Sequence, residues 1–182
     1  MLKIGITGNI ASGKSAVQNI LESLGYKVFD ADKSAHELLS KSQKVLDTFG
    51  TNSREILAGT VFSDKRKLKQ LEDILHPLIK DAMLKFFSDN CGQSLIFASV
   101  PLLFEAGFDK FVDKIIFISA PYQMRLNRLI QRNGYDENYA RLRLESQLSE
   151  DVKIPKSDFV IVNDGDLNLL RQKTKECLKL LL

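Results

Sequence analysis

The apolar positions of the chain follow two alternating periods. Short, nearly unbroken apolar runs recur in "LKIGIT" (2–7), "KVFDAD" (27–32), "SLIFASVPLLF" (94–104), "KIIFISA" (114–120) and "DFVIVND" (158–164). Runs of this length, bounded by turn-forming or polar residues, predict buried strands. Between them the apolar residues fall three and four apart. "SAVQNILESLGY" places Val17, Ile20, Leu21 and Leu24 on one face, and Gly25 supplies a stop. "SAHELLSK" predicts a helix start, with Ser34 and Glu37 as a capping box.

Residues 33–90 are mostly helical in pattern. Leu68, Leu71, Ile74, Leu75, Leu78, Ile79, Ala82 and Phe86 form a broad stripe, and Pro77 predicts a kink or break beside His76. "PYQMRLNRLIQRN" and "DENYARLRLESQLSE" predict two helices joined by "NGYD", and "DLNLLRQKTKECLKLLL" a last one. A strand, a helix and a strand within about 30 residues is a βαβ unit. The whole alternation predicts an α/β fold with a five-stranded parallel sheet.

The 182 residues suffice for one domain with insertions, and 44% hydrophobic content excludes a disordered chain. A net charge of +3, with basic residues scattered, points away from nucleic acid. Cys91 and Cys177 are far apart and form no CxxC pair, so two reduced thiols are expected rather than a zinc site or disulfide. No apolar run reaches the roughly 20 residues of a membrane span, and the apolar N-terminal run is too short for a signal peptide. A cytoplasmic protein without membrane partners is expected.

One segment carries specific chemistry. Gly8-Asn9-Ile10-Ala11-Ser12-Gly13-Lys14-Ser15 fits G-x-x-x-x-G-K-[ST] at every fixed position, between a predicted strand and a predicted helix. The glycines permit a tight turn whose N–H groups converge into an anion nest. The helix that follows adds its positive end, Lys14 would reach the terminal phosphates, and Ser15 would offer a hydroxyl to Mg²⁺. A nucleoside triphosphate is the expected ligand, with Gly8 to Ala16 as its cradle.

The rest of the chain narrows the class. A GTPase would need a base-reading N/T-K-x-D, which is absent, and "DTFG" (47–50) lies in a helical stretch. An ATPase motor would want an acid at the end of the "SLIFAS" strand, where Ser99 stands. A small kinase needs a phosphate loop, a carboxylate to take a hydroxyl proton, an acceptor pocket and basic lid residues. Asp32, just past the second strand at the ligand-collecting edge of a parallel sheet, is the candidate base, and Asp30 a candidate for holding Mg²⁺ through water. Arg125, Arg128 and Arg132 share one helical face without interleaved acids, and Arg143 and Gln147 form a similar pair.

Several longer segments, "GITGNIASGKS", "LGYKVFDADKSAHELL", "LEDILHPLI", "VPLLFEAG", "RLIQRNG", "RLESQ" and "SDFVIVNDGDL", together resemble the dephospho-coenzyme A kinases over nearly the whole chain. The resemblance implies ATP-dependent phosphorylation of the ribose 3′-hydroxyl of dephospho-CoA, the last step of coenzyme A synthesis. It implies a three-layer P-loop kinase fold with a core of 1–32, 93–120 and 155–182, a helical acceptor domain of 33–92 and a lid of 121–154. It points to Asp32, Lys14, Arg128 and Arg132 as catalytic, favouring the last two over Arg125. It adds Arg143 and Asn163 to the ATP set. His76, Pro101, Leu102, Leu103 and Glu105 are expected along the acceptor, with Glu105 orienting an arginine or the substrate. ATP and dephospho-CoA are the implied partners, and a monomer or weak homo-oligomer the implied state. The chain departs from the family pattern at Ala16, where threonine is more usual, and in a shortened 49–62 segment. The alternatives are a nucleoside or nucleotide kinase of the same fold and a non-catalytic nucleotide-binding switch.

Overall fold

The computed structural model describes residues 1–61 and 64–181. Phe62, the last residue of the shortened segment, Ser63 of the expected acceptor domain and Leu182 of the expected core lie outside the described residues. The chain folds as two compact units, Met1–Phe29 with Asn90–Leu182, and Asp30–Asp89.

The first unit is built on a parallel sheet of strands β1 (Leu2–Gly8), β2 (Val28–Asp30), β3 (Leu95–Ser99), β4 (Lys114–Ser119) and β5 (Phe159–Val162), in the order β2-β3-β1-β4-β5. β1 is central. Its register pairs Ile6 with Ser99 on one side and Gly8 with Ile118 on the other. All five residues of β3 are buried, as an internal parallel strand requires. Helices α1 (Lys14–Ser23) and α9 (Leu167–Lys179) close one face. Val17, Ile20, Leu21, Leu170, Cys177 and Leu178 pack there against Ile4, Ile6, Phe97, Ile116, Ile118 and Ile161. Each of the fully buried aliphatic side chains contributes about 1.5–3 kcal/mol. Beside β1, Gly5 leaves the space that Leu103 occupies; an added Cβ would stand 3.2 Å from Leu103 Cδ2.

The "SLIFASVPLLF" run ends as a strand at Ser99. Pro101 has no N–H to give the ladder, so residues 101–107 turn and lead into a 3-10 helix at Phe108–Phe111. The arginine-bearing segment folds as α6 (Tyr122–Asn133) and α7 (Glu137–Glu145), followed by the four-residue α8 (Glu150–Lys153) and a 3-10 turn at Ile154–Lys156. Gln147 therefore lies past the end of α7 and is no helical partner of Arg143.

The second unit holds α2 (Ala31–Lys41), α3 (Gln43–Phe49), α4 (Arg54–Val61) and α5 (Lys65–Asp89). One expectation fails here and another is narrowed. The capping box at Ser34 and Glu37 is not used, because Asp30 caps α2 four residues earlier by accepting the Lys33 N–H at 3.0 Å. Asp at a strand end is as good a cap as Ser, and the earlier start wins. Of the kink or break expected at Pro77, the break does not occur: α5 runs through it. Pro77 is exposed, and Ile74, Leu75, Ile79, Met83 and Phe87 are buried along the helix, offsetting the one lost backbone bond. The buried stripe thus uses Met83 and Phe87 rather than Ala82 and Phe86, and Leu78 is exposed.

Among the described residues no helix is long and apolar enough to cross a membrane. Both cysteines are free; Cys91 is exposed and Cys177 buried, and burial pushes the Cys177 thiol up to about 11. At pH 8, iodoacetamide is expected to modify Cys91 within minutes and leave Cys177 intact until denaturant is added, which mass spectrometry would read directly.

Candidate active site

The site begins where β1 stops. A Cβ on Gly8 would fall 2.5 Å from the Ile118 carbonyl oxygen and 2.6 Å from Ser12 Oγ, so the first glycine is required by space. The loop then turns through Ala11 at φ 61 and Gly13 at φ 101, with the Ser12 N–H bonded to the Asn9 carbonyl at 3.0 Å. Left-handed residues set among right-handed ones curl successive N–H groups inward. Gly13 caps α1 with no side-chain bond, which leaves the helix start to an anion.

The outer side of the loop is gripped by distant residues. Asn163, just after β5, donates Nδ2 to the Ser12 carbonyl at 2.7 Å. Arg128 of α6 donates to the Ala11 carbonyl and to Asn163 Oδ1, both at 3.4 Å. Ile10 and Ala11 pack against Leu126, Leu129, Ala140 and Leu144 of the two arginine helices. The Ile10 N–H donates to Gln147 Oε1 at 2.6 Å. Lys14, buried, donates Nζ to Ser99 Oγ at 2.8 Å. Ser99, at the position where an ATPase motor would carry an acid, therefore offers Lys14 a neutral partner.

Asn9, Ala11, Ser12, Gly13, Lys14, Ser15, Arg128, Gln131 and Arg132 line one cavity of about 480 Å³. Three of these side chains are cationic and none is acidic. Asn9, Ala11, Ser12, Gly13, Lys14 and Ser15 of the expected cradle and the two favoured arginines are thus brought together, and Gln131 joins them unpredicted. Other expected members stand elsewhere. Ile10 faces the apolar cluster of α6 and α7, and Ala16 packs on the main core. Asn163 sits behind the loop, with its amide committed to Ser12. Arg143 is half-buried in the last turn of α7 and is not among the side chains lining this cavity. Arg125 turns away: it is buried, 3.5 Å from Glu150, the acid that the sequence pattern did not place on its face.

The turn after β3 sorts its residues similarly. Leu103 is fully buried in the core, which removes it from the expected acceptor set. Pro101 is half-buried, with its carbonyl accepting from Thr7 Oγ1 at 3.1 Å, and Leu102 is exposed. Glu105 pairs with a lysine and not an arginine, Lys153, at 2.6 Å. In the second unit Asp32 is exposed in the first turn of α2, Asp30 is its cap, and His76 is half-buried within α5.

A phosphate loop at the end of the central strand of a parallel five-stranded sheet, faced by paired arginines, defines a P-loop kinase. The comparisons are specific. The dephospho-CoA kinase family model matches residues 2–168. The dephospho-CoA kinase of Fusobacterium nucleatum is 39% identical over 183 residues, covering 94% of each chain. A crystal structure from Thermus thermophilus superposes with TM-score 0.87 at 34% identity, covering 100% of this chain and 98% of that one. The dephospho-CoA kinase of Campylobacter jejuni superposes with TM-score 0.73 at 31% identity, covering 98% and 96%. The chain belongs to the dephospho-CoA kinase family, and it is a kinase of the final step of coenzyme A synthesis.

Proposed function

We propose that this chain binds ATP in the cavity above the phosphate loop and transfers the γ-phosphoryl group to the ribose 3′-hydroxyl of dephospho-CoA. The observation that carries this reading is the cationic, carboxylate-free lining of that cavity around the inward-facing amides, on a chain of this family. Lys14 and the loop amides would hold the β- and γ-phosphates. Arg128 and Arg132 would balance the charge that builds on the transferring group. Asp32 would accept the acceptor's hydroxyl proton as its oxygen bonds to phosphorus and the bridging oxygen leaves with ADP.

The residues present fit a magnesium ion of the kinase type. Ser15 is an exposed hydroxyl in the first turn of α1 and lines the cavity, and hard oxygen donors shared with phosphates suit that ion. When bound, Mg²⁺ would neutralise phosphate charge. Asp30, whose Oδ1 is committed to the helix cap, would reach it through water. Residues 33–92, including His76, are assigned to the acceptor, with Pro101, Leu102 and Glu105 beside it, and residues 121–154 to the lid, with Arg143 joining the ATP set and Asn163 bordering the adenine. A cytoplasmic monomer or weak homo-oligomer is the matching cellular form.

Purified protein with ATP, Mg²⁺ and a panel of acceptors tests the reading. Release of ADP with dephospho-CoA at least 100-fold faster than with any nucleoside or nucleoside monophosphate is expected. The reverse preference would replace the acceptor. The arginines should also separate. Arg128→Ala is expected to lower kcat about 100-fold or more with little change in Tm. Arg125→Ala is expected to cost about 2 kcal/mol or more of stability by stranding Glu150, while kcat of the folded enzyme changes less than threefold. Thermal melts and steady-state kinetics on the same preparations check both.

A further inference from the structure

Lys153 is 1% exposed, a placement that a lysine ammonium rarely takes without partners. Its Nζ is 2.6 Å from a Glu105 carboxylate oxygen and 2.8 Å from Asn9 Oδ1. Asn9, itself buried, returns its Nδ2 to the Leu148 carbonyl at 3.1 Å. The neighbouring Ile10 N–H is held by Gln147. The segment 147–153 therefore grips the first half of the phosphate loop at three points, and the charged point is anchored in turn by the loop after β3.

We propose that Lys153 is a positioning residue for nucleotide binding, acting through Asn9. Burying an ammonium is unfavourable unless it is paired and hydrogen-bonded, and here the pairing supplies both. Glu105 neutralises and fixes the ammonium. The ammonium fixes the Asn9 amide, whose two ends are then committed in opposite directions. The backbone at Asn9 and Ile10 is thereby held at the start of the turn that aims the amides of Ser12 to Ser15 into the cavity. Through this chain of contacts Glu105 serves the nucleotide side of the reaction. The inference rests on the loop binding ATP; it does not depend on which acceptor follows.

Calorimetry with a non-hydrolysable ATP analogue and Mg²⁺ reads loop positioning without any acceptor. Lys153→Met is expected to weaken analogue binding tenfold or more and to raise the KM for ATP similarly. Its kcat at saturating ATP and its KM for dephospho-CoA are expected within threefold of the unmodified enzyme. Asn9→Ala should show the same loss, and the double variant should be no worse than either single one. Glu105→Gln, whose side chain is 23% exposed and tolerates the change, should weaken binding at least threefold; it decides the matter if Lys153→Met does not fold. Full analogue affinity in folded Lys153→Met, at a lowered Tm, would show a purely structural lysine and overturn the proposal, as would full affinity in Glu105→Gln. Failure of the unmodified chain to bind the analogue would overturn nucleotide binding itself and the proposal with it.

Discussion

Gly13→Ala is expected to abolish measurable ATP binding, raising Kd at least 100-fold. The added Cβ would stand 2.2 Å from Asn163 Nδ2, closer than any real contact allows. The backbone at φ 101 adds about 1–2 kcal/mol of strain for any residue with a Cβ. Relief requires Asn163 to leave the Ser12 carbonyl, and that releases Arg128, whose second partner is Asn163 Oδ1. One methyl group thus disturbs both the amide nest and the arginine above it. Loss of about 2 kcal/mol should lower Tm by about 5 °C, modest beside the loss of binding. Gly13→Ala combined with Asn163→Ala removes the clash but not the strain, and should recover part of the stability and little of the affinity. Isothermal titration and melting curves on the three proteins check this. Normal ATP affinity in Gly13→Ala would show that phosphates are not held where the loop places them.

Asp32→Asn is expected to act on the other half of the reaction. Removing the general base should lower kcat by about 10²–10⁴-fold and leave the ATP Kd within twofold. Asp32 is exposed in the first turn of α2, and Asp30, not Asp32, caps that helix, so the substitution should cost little stability. Pre-steady-state measurement of ADP formation separates the chemical step from product release. A kcat within threefold of the unmodified enzyme would remove Asp32 from proton transfer.

The sheet and the phosphate loop were legible because their determinants are local. A buried parallel strand must be apolar throughout, and "LKIGIT" and "KIIFISA" have few other uses. Gly8 and Gly13 are dictated by space and by a left-handed backbone, so the loop could be read from eight residues. Helix boundaries were less legible, because two competent caps stood within four residues and only packing chooses Asp30 over Ser34. At Pro77 local propensity allows either a kink or a break, and only the buried face of α5 decides that the helix continues. Asn163 was legible as an ATP-site residue and Gln147 only as a neighbour of Arg143; their contacts with the loop, and Lys153 altogether, were not. Gln147, Lys153 and Asn163 reach it from 137 to 151 residues away. Lys153 lies among acids and a proline in "SEDVKIPKSD", where nothing distinguishes it from a solvated lysine. Likewise Arg125 and Arg128 share a helical face in the sequence, and only the fold shows one turned to Glu150 and the other to the loop.

The most direct measurement is the identity of the product. The enzyme, ATP, Mg²⁺ and dephospho-CoA should yield a compound whose proton–phosphorus correlation spectrum places a new phosphomonoester on the ribose 3′-carbon, in one-to-one amount with ADP. Formation of ADP without a phosphorylated acceptor, or a new phosphate on any other oxygen, would contradict the account.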